Sequence, residues 1–186
     1  MKVFKVGCDA SRFQWISPDM DEDEDGEYLF FECKSKIKTW KNIDWYVLDP
    51  RMEKGNFYYG GPDCLMFDEH VYNSTLFPIL EMSGEILPIS LEEESLYALN
   101  ILECVDALDH QCTRWNYYDD GSKRFIQEFV FHPSKIPASS LFKIPEHSSS
   151  DVLVSSGIKS PNHDFKTVYE QLGFTGLDFE ELWRSP

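Results

Sequence analysis

Residues 99–109, Leu-Asn-Ile-Leu-Glu-Cys-Val-Asp-Ala-Leu-Asp, constrain this chain more than any other stretch. Their apolar positions are dense but keep no helical spacing. β-tolerant residues run into two short carboxylates, Asp106 and Asp109, so the pattern predicts a strand ending in a turn. Asp side chains accept nearby backbone N–H groups, and turn and cap chemistry is the expectation for both. Elsewhere the apolar runs are equally short. Alternation of Phe125, Gln127, Phe129 and Phe131 against Ile126, Glu128 and Val130 predicts the clearest strand, on residues 125–131. Further strands are expected at 3–6 (an edge), 13–16, 28–33, 45–48, 85–89, 141–144 and 152–154.

Two helices complete the expectation. Phe67, Val71, Tyr72, Leu76, Phe77 and Leu80 recur near helical spacing, predicting a helix over 69–76 that breaks around Pro78 and stops at Ser83-Gly84. Phe165, Val168, Tyr169 and Leu172 form an i, i+3, i+4, i+7 stripe closed by Gly173. The tail, residues 175–183, is expected to dock on the body. The fold class is α+β, a mostly antiparallel sheet with two main helices packed on it, in one domain over 1–186.

Composition narrows the function. The 33 acidic against 17 basic residues give a net charge of −16, which repels phosphate backbones and anionic membranes and suits a cationic partner. Five unpaired-looking cysteines with no CxxC point to thiols in a reducing compartment rather than a disulfide framework or zinc ribbon. No signal-like or membrane-spanning run is present in the sequence, and a cytoplasmic location is expected. Asp19, Asp21, Glu22, Asp23, Glu24 and Asp25 read as a solvated loop. Asp21, Asp23, Asp25 and Gly26 also match the start of a calcium loop, but its twelfth position, Glu32, falls in an expected strand rather than a helix. Among the lysines at 34, 36, 38 and 41 sits Trp40; a solvated strand face is expected there, not a nucleic-acid contact.

No catalytic set assembles. The five histidines are isolated, there is no HExxH or GxSxG, and a Cys104 or Cys112 pair with His110 lacks the usual separation of nucleophile and base. A metal-dependent or hydrolytic enzyme using Asp106, Asp109 and His110 is the rival reading. The aromatic residues Trp15, Trp40, Trp45, Trp115, Tyr117 and Tyr118 exceed what a core requires, and Tyr and Trp concentrate at interface hot spots. The candidate partner-binding residues are Trp115, Tyr117, Tyr118, Asp119 and Asp120, with Glu92, Glu93 and Glu94 as an acidic rim that speeds docking. No cofactor or metal is assigned.

Three segments carry a family resemblance: the strand ending in Asp106-Ala107-Leu108-Asp109, Leu141-Phe142-Lys143-Ile144, and Gly173-Phe174-Thr175-Gly176-Leu177-Asp178-Phe179 followed by Trp183. In this order they resemble a family of bacterial immunity proteins encoded beside polymorphic toxins, formerly a domain of unknown function. The resemblance covers residues 67–183; residues 1–66 diverge. It implies a non-catalytic protein that binds and neutralises a cognate toxin, here a basic one. A regulatory protein-binding module without a toxin is the further alternative.

Overall fold

The computed structural model describes residues 1–20, 29–61, 63–92, 94–147, 151–157 and 161–185. Two sheets face each other across a central core. In the four-stranded sheet the order is β10 (Leu141–Phe142), β11 (Val152–Ser156), β1 (Lys2–Cys8), β12 (Leu177–Arg184), and every neighbour is antiparallel. The six-stranded sheet runs β2 (Ile16–Pro18), β3 (Asp44–Val47), β6 (Gly84–Leu91), β7 (Glu94–Ile101), β5 (Leu65–Asp68), β4 (Phe57–Tyr58). Only β3 and β6 pair in parallel within it. A separate two-stranded ribbon joins β8 (Arg114–Tyr117) to β9 (Lys123–Glu128).

Strand alternation sorts side chains into three cores. Phe67, Leu99 and Ile101 from the six-stranded sheet meet Val6, Val152 and Val154 from the four-stranded one in the central core. Met66 on β5, Leu96 and Ala98 on β7, and Leu87 and Ile89 on β6 point the other way into a second core with Phe31, Trp45 and Tyr58. Val3, Leu153 and Phe142, on the outer face of the four-stranded sheet, form a third with Ala107, Leu108, Ile126 and Phe131. Both sheets are thus buried on both faces near their centres, which is why residues 96–101 read as dense rather than alternating.

The α+β class stands, but the sheets dominate. Three short helices replace the two expected: α1 (Glu69–Tyr72), α2 (Phe77–Glu81) and α3 (Phe165–Leu172). Pro78 opens α2 rather than ending a helix, because a first-turn proline sacrifices no intrahelical bond. Of the α3 stripe, Phe165, Val168 and Tyr169 are buried as expected, whereas Leu172 in the last turn is exposed. Asp164 accepts from Thr167 N at 3.0 Å, and Gly173 closes the helix at φ +70°. β1 lies inside its sheet, not at an edge, since the tail forms β12 and pairs along its whole length. β6 and β7 form a hairpin whose last pairs are Ser90 with Ser95 and Leu91 with Glu94. Residues 29–33 form no strand; Phe31 is instead a buried anchor. The lysine-bearing stretch is a turn at 37–39, not a strand face. The strand expected at 125–131 is β9 and stops at Glu128, with Ile126 buried and Phe125 exposed. Asp21 to Asp25, with the calcium alternative, lie outside the described residues.

One buried cation stitches the halves together. Lys143, fully buried just after β10, donates from Nζ to the Phe31 carbonyl at 2.5 Å, while Phe31 N donates to Asp63 Oδ2 at 2.9 Å. Burial lowers the Lys143 ammonium against the opposing pull of Asp63, and burial raises the Asp63 carboxyl against Phe31 N–H and Lys143. A second clasp is Gly176 at φ +107°, where a Cβ would lie 2.2 Å from the Phe57 carbonyl. Thr175 O there accepts from Phe57 N at 3.0 Å.

Two substitutions read these junctions. Lys143→Met leaves the Phe31 carbonyl without its ammonium and is expected to cost about 2 kcal/mol, seen as a lower urea midpoint at unchanged slope. Gly176→Ala adds a backbone clash to a left-handed conformation and is expected to cost at least about 2 kcal/mol in the same measurement.

Candidate protein-binding surface

The β8–β9 ribbon holds five of the eight residues singled out from sequence. Its turn is built as the Asp-Asp-Gly sequence dictates. Asp120 accepts from Ser122 N at 2.8 Å and Ser122 Oγ at 2.6 Å, and Gly121 takes φ +83°. These bonds hold the Asp120 carboxyl below its ordinary range, so the tip is anionic at neutral pH. Tyr117 and Tyr118 are each 54% exposed at the approach to that turn. Trp115 is half-buried, packing on the third core at the ribbon's base, with Lys123 Nζ 4.0 Å from its ring centre.

The same ribbon carries residues the sequence reading missed as a surface. Phe125 is 46% exposed opposite Asn116, and the Arg124 guanidinium lies 5.4 Å from the Tyr118 ring and 5.7 Å from the Phe125 ring. Arg114 pairs with Glu128 at 3.0 Å. The available signal was the register of the hairpin, which sets Lys123 across from Tyr117. Cations Arg114, Lys123 and Arg124 balance anions Asp119, Asp120 and Glu128, making a neutral aromatic finger on a molecule of net charge −16.

The acidic rim sits elsewhere. Glu92, in a left-handed conformation at φ +52°, and Glu94 flank the β6–β7 turn in the six-stranded sheet; Glu93 lies outside the described residues. Glu94 is paired with Lys54 at 2.6 Å. The structure therefore brings the aromatic residues and Asp119 and Asp120 together but places Glu92 and Glu94 on a different sheet. Of the other tryptophans, Trp45 belongs to the second core and Trp40 packs against it, donating to Pro88 O at 2.8 Å. Another apolar groove, of about 360 Å³, runs between Ile37, Tyr72, Phe77, Ile86 and Tyr97. Glu85 at its wall is committed to Ser35 Oγ and Asn100 Nδ2.

The proposed carboxylate–histidine grouping is rearranged. Asp109 Oδ1 accepts from Gln111 N at 3.0 Å and Cys112 N at 3.1 Å, the turn chemistry expected of it. Asp106 does not cap a turn; its Oδ1 lies 3.0 Å from His110 Nε2 and its Oδ2 3.7 Å from Lys135 Nζ. Glu146 takes the third place, Oε1 3.5 Å from the same Nε2. His110 makes no hydrogen bond to Cys104 or Cys112 among the described residues. Asp109 raises the Cys112 thiol and burial pushes the Cys33 thiol up to about 12, which keeps Cys112 and Cys33 protonated and poorly nucleophilic.

No protein-family model matches the chain, and no characterised protein matches it. Among the described residues no helix is long and apolar enough to cross a membrane.

Beside this cluster, Asp151 joins β1 to the 145–147 turn, with Lys5 Nζ at 2.7 Å and His147 Nδ1 at 2.5 Å. Burial raises its carboxyl, but the His147 and Lys5 bonds outweigh that and leave it below its ordinary value of 3.8. Its ionised form therefore stabilises the fold fully above pH 3.8, and this contribution is lost as pH falls below that value. Asp151→Asn should be less stable than the parent at pH 7, with the difference shrinking below pH 4 in denaturation curves taken between about pH 7 and pH 2.

Proposed function

We propose that the chain is a non-catalytic, cytoplasmic immunity protein that binds a basic toxin and blocks it, with the β8–β9 ribbon as its principal contact. The observation that carries this reading is the ribbon itself. It stands as its own sheet and exposes Tyr117, Tyr118 and Phe125 with Arg124 laid across two of the rings. Tyr and Arg are the residues in which binding energy concentrates, and a two-stranded ribbon orders them at little entropic cost. Net charge −16 supplies the complementary long-range attraction that draws a cationic protein toward the molecule. The resemblance of residues 67–183 to immunity proteins of polymorphic toxin systems supplies the class of partner.

Division of labour follows from the geometry. The dispersed carboxylates act at a distance and are screened by salt, whereas the finger makes desolvated contacts that salt touches little. Binding to the C-terminal domain of the large protein encoded by the neighbouring gene tests the reading by calorimetry at low and high salt. Tyr117→Ala with Tyr118→Ala should weaken binding at least tenfold, about 1.4 kcal/mol or more, at both salt concentrations. Raising salt should slow association of the parent protein. Absence of binding, or full affinity in the double variant, contradicts the proposal.

A further inference from the structure

The cluster formed by Asp106, His110 and Glu146 has a geometry that the ribbon's role does not use. Their ligand atoms lie within 4.8 Å of one another, with His110 Nε2 3.0 Å from Asp106 Oδ1 and 3.5 Å from Glu146 Oε1. One ring nitrogen thus faces two carboxylate oxygens. A neutral imidazole satisfies only one of them: its N–H can donate to one oxygen, and its lone pair repels any oxygen it meets. A cation seated between the three atoms resolves the conflict. Bonds of about 2.1 Å from nitrogen and oxygen to a zinc-sized ion put neighbouring ligand atoms about 3.0–3.5 Å apart, which matches the two separations measured from His110 Nε2.

The backbone holds the three residues in place before any ion arrives. Lys143 N donates to Glu103 O at 2.8 Å and Val105 N to Lys143 O at 2.9 Å, which pins the chain just before Asp106 to the strand that leads into Glu146. Asp109 caps the turn carrying His110, and Asp109 N donates to Val130 O at 2.8 Å. His147 N bonds Ile144 O at 3.0 Å, closing the turn that presents Glu146. Lys135 engages Asp106 through Oδ2, leaving Oδ1 toward the histidine. Asp106 and His110 are substantially open to solvent, so water can complete a coordination shell.

We propose that Asp106, His110 and Glu146 bind one divalent transition-metal ion of the zinc class, which ties the loop after β7 to the 145–147 turn. The mixed nitrogen and oxygen set favours such an ion over calcium, which takes six to eight oxygen ligands. Thr113 leads from this loop straight into the ribbon, so the ion steadies the ribbon's base.

Zinc titration of the reduced full chain by calorimetry tests the site. The expected result is saturable binding of one zinc ion, weakened at least tenfold by His110→Gln and by Glu146→Gln, and unchanged by Cys112→Ser. Circular dichroism checks that each variant is folded, and Asp106→Asn replaces any that is not. Lack of saturable binding overturns the proposal, because a proton alone then bridges the carboxylates. Binding that survives the ligand substitutions also overturns it, placing the metal on cysteines or other histidines. Neither result bears on toxin binding, which is read with a different titrant.

Discussion

Lys143 is the residue on which the two-sheet arrangement turns. It leaves the four-stranded sheet at the end of β10 and reaches the backbone of Phe31, whose ring fills the core behind the six-stranded sheet. Asp63, just before β5, holds the other backbone polar group of the same residue. A buried ammonium and a buried carboxyl each shift toward neutrality, and the Phe31 backbone between them satisfies one hydrogen-bonding group on each side. Removing either partner leaves a polar group in a place water cannot reach. This explains how a segment without regular structure, residues 29–33, is nevertheless fixed.

Aromatic packing builds outward from that junction. Phe57 meets Phe67, Tyr169, Phe165 and Phe174 at centroid distances of 5.6–6.5 Å, linking β4 and β5 to α3 and the turn that follows it. Gly176 then brings the chain against the Phe57 carbonyl and releases it into β12. The ribbon is held differently. It touches the body through Trp115 and Ile126 in the third core, and its exposed end contributes nothing to the central one. A surface element with so small an anchorage is free to specialise in recognition, because substitutions at its tip leave the cores intact.

Much of this was legible in the residues. Phe165, Val168 and Tyr169 of the α3 stripe with its glycine stop, and the strands at 85–89 and 152–154, follow from local rules that the tertiary fold did not override. Failures came where local pattern and long-range pairing diverge. Val3, Phe4 and Val6 give no hint that both flanks of β1 are occupied, since β11 and β12 come from the far end of the chain. The strand expected at 28–33 had the right residues, but Phe31 spends its backbone groups on Asp63 and Lys143 rather than on a ladder. Glu146 joined Asp106 and His110 only through the Cys104–Lys143 bridge, a pairing about forty residues apart that no motif spacing encodes. Trp115, Tyr117 and Tyr118 were singled out because the aromatic residues exceed what a core requires; Phe125 was read only as one position of an alternating strand, and alternation alone does not say which face is exposed.

The Lys143 junction makes the two sheets one cooperative unit, and the ribbon stands apart as its own two-stranded sheet. Native-state hydrogen exchange tests this most directly. The Phe31 amide and the amides of β1, β7 and β11 should exchange with one common free energy of opening. Those of β8 and β9 should open at lower free energy. A Phe31 amide that exchanges far faster than the two sheets, or a ribbon protected as strongly as β7, contradicts it.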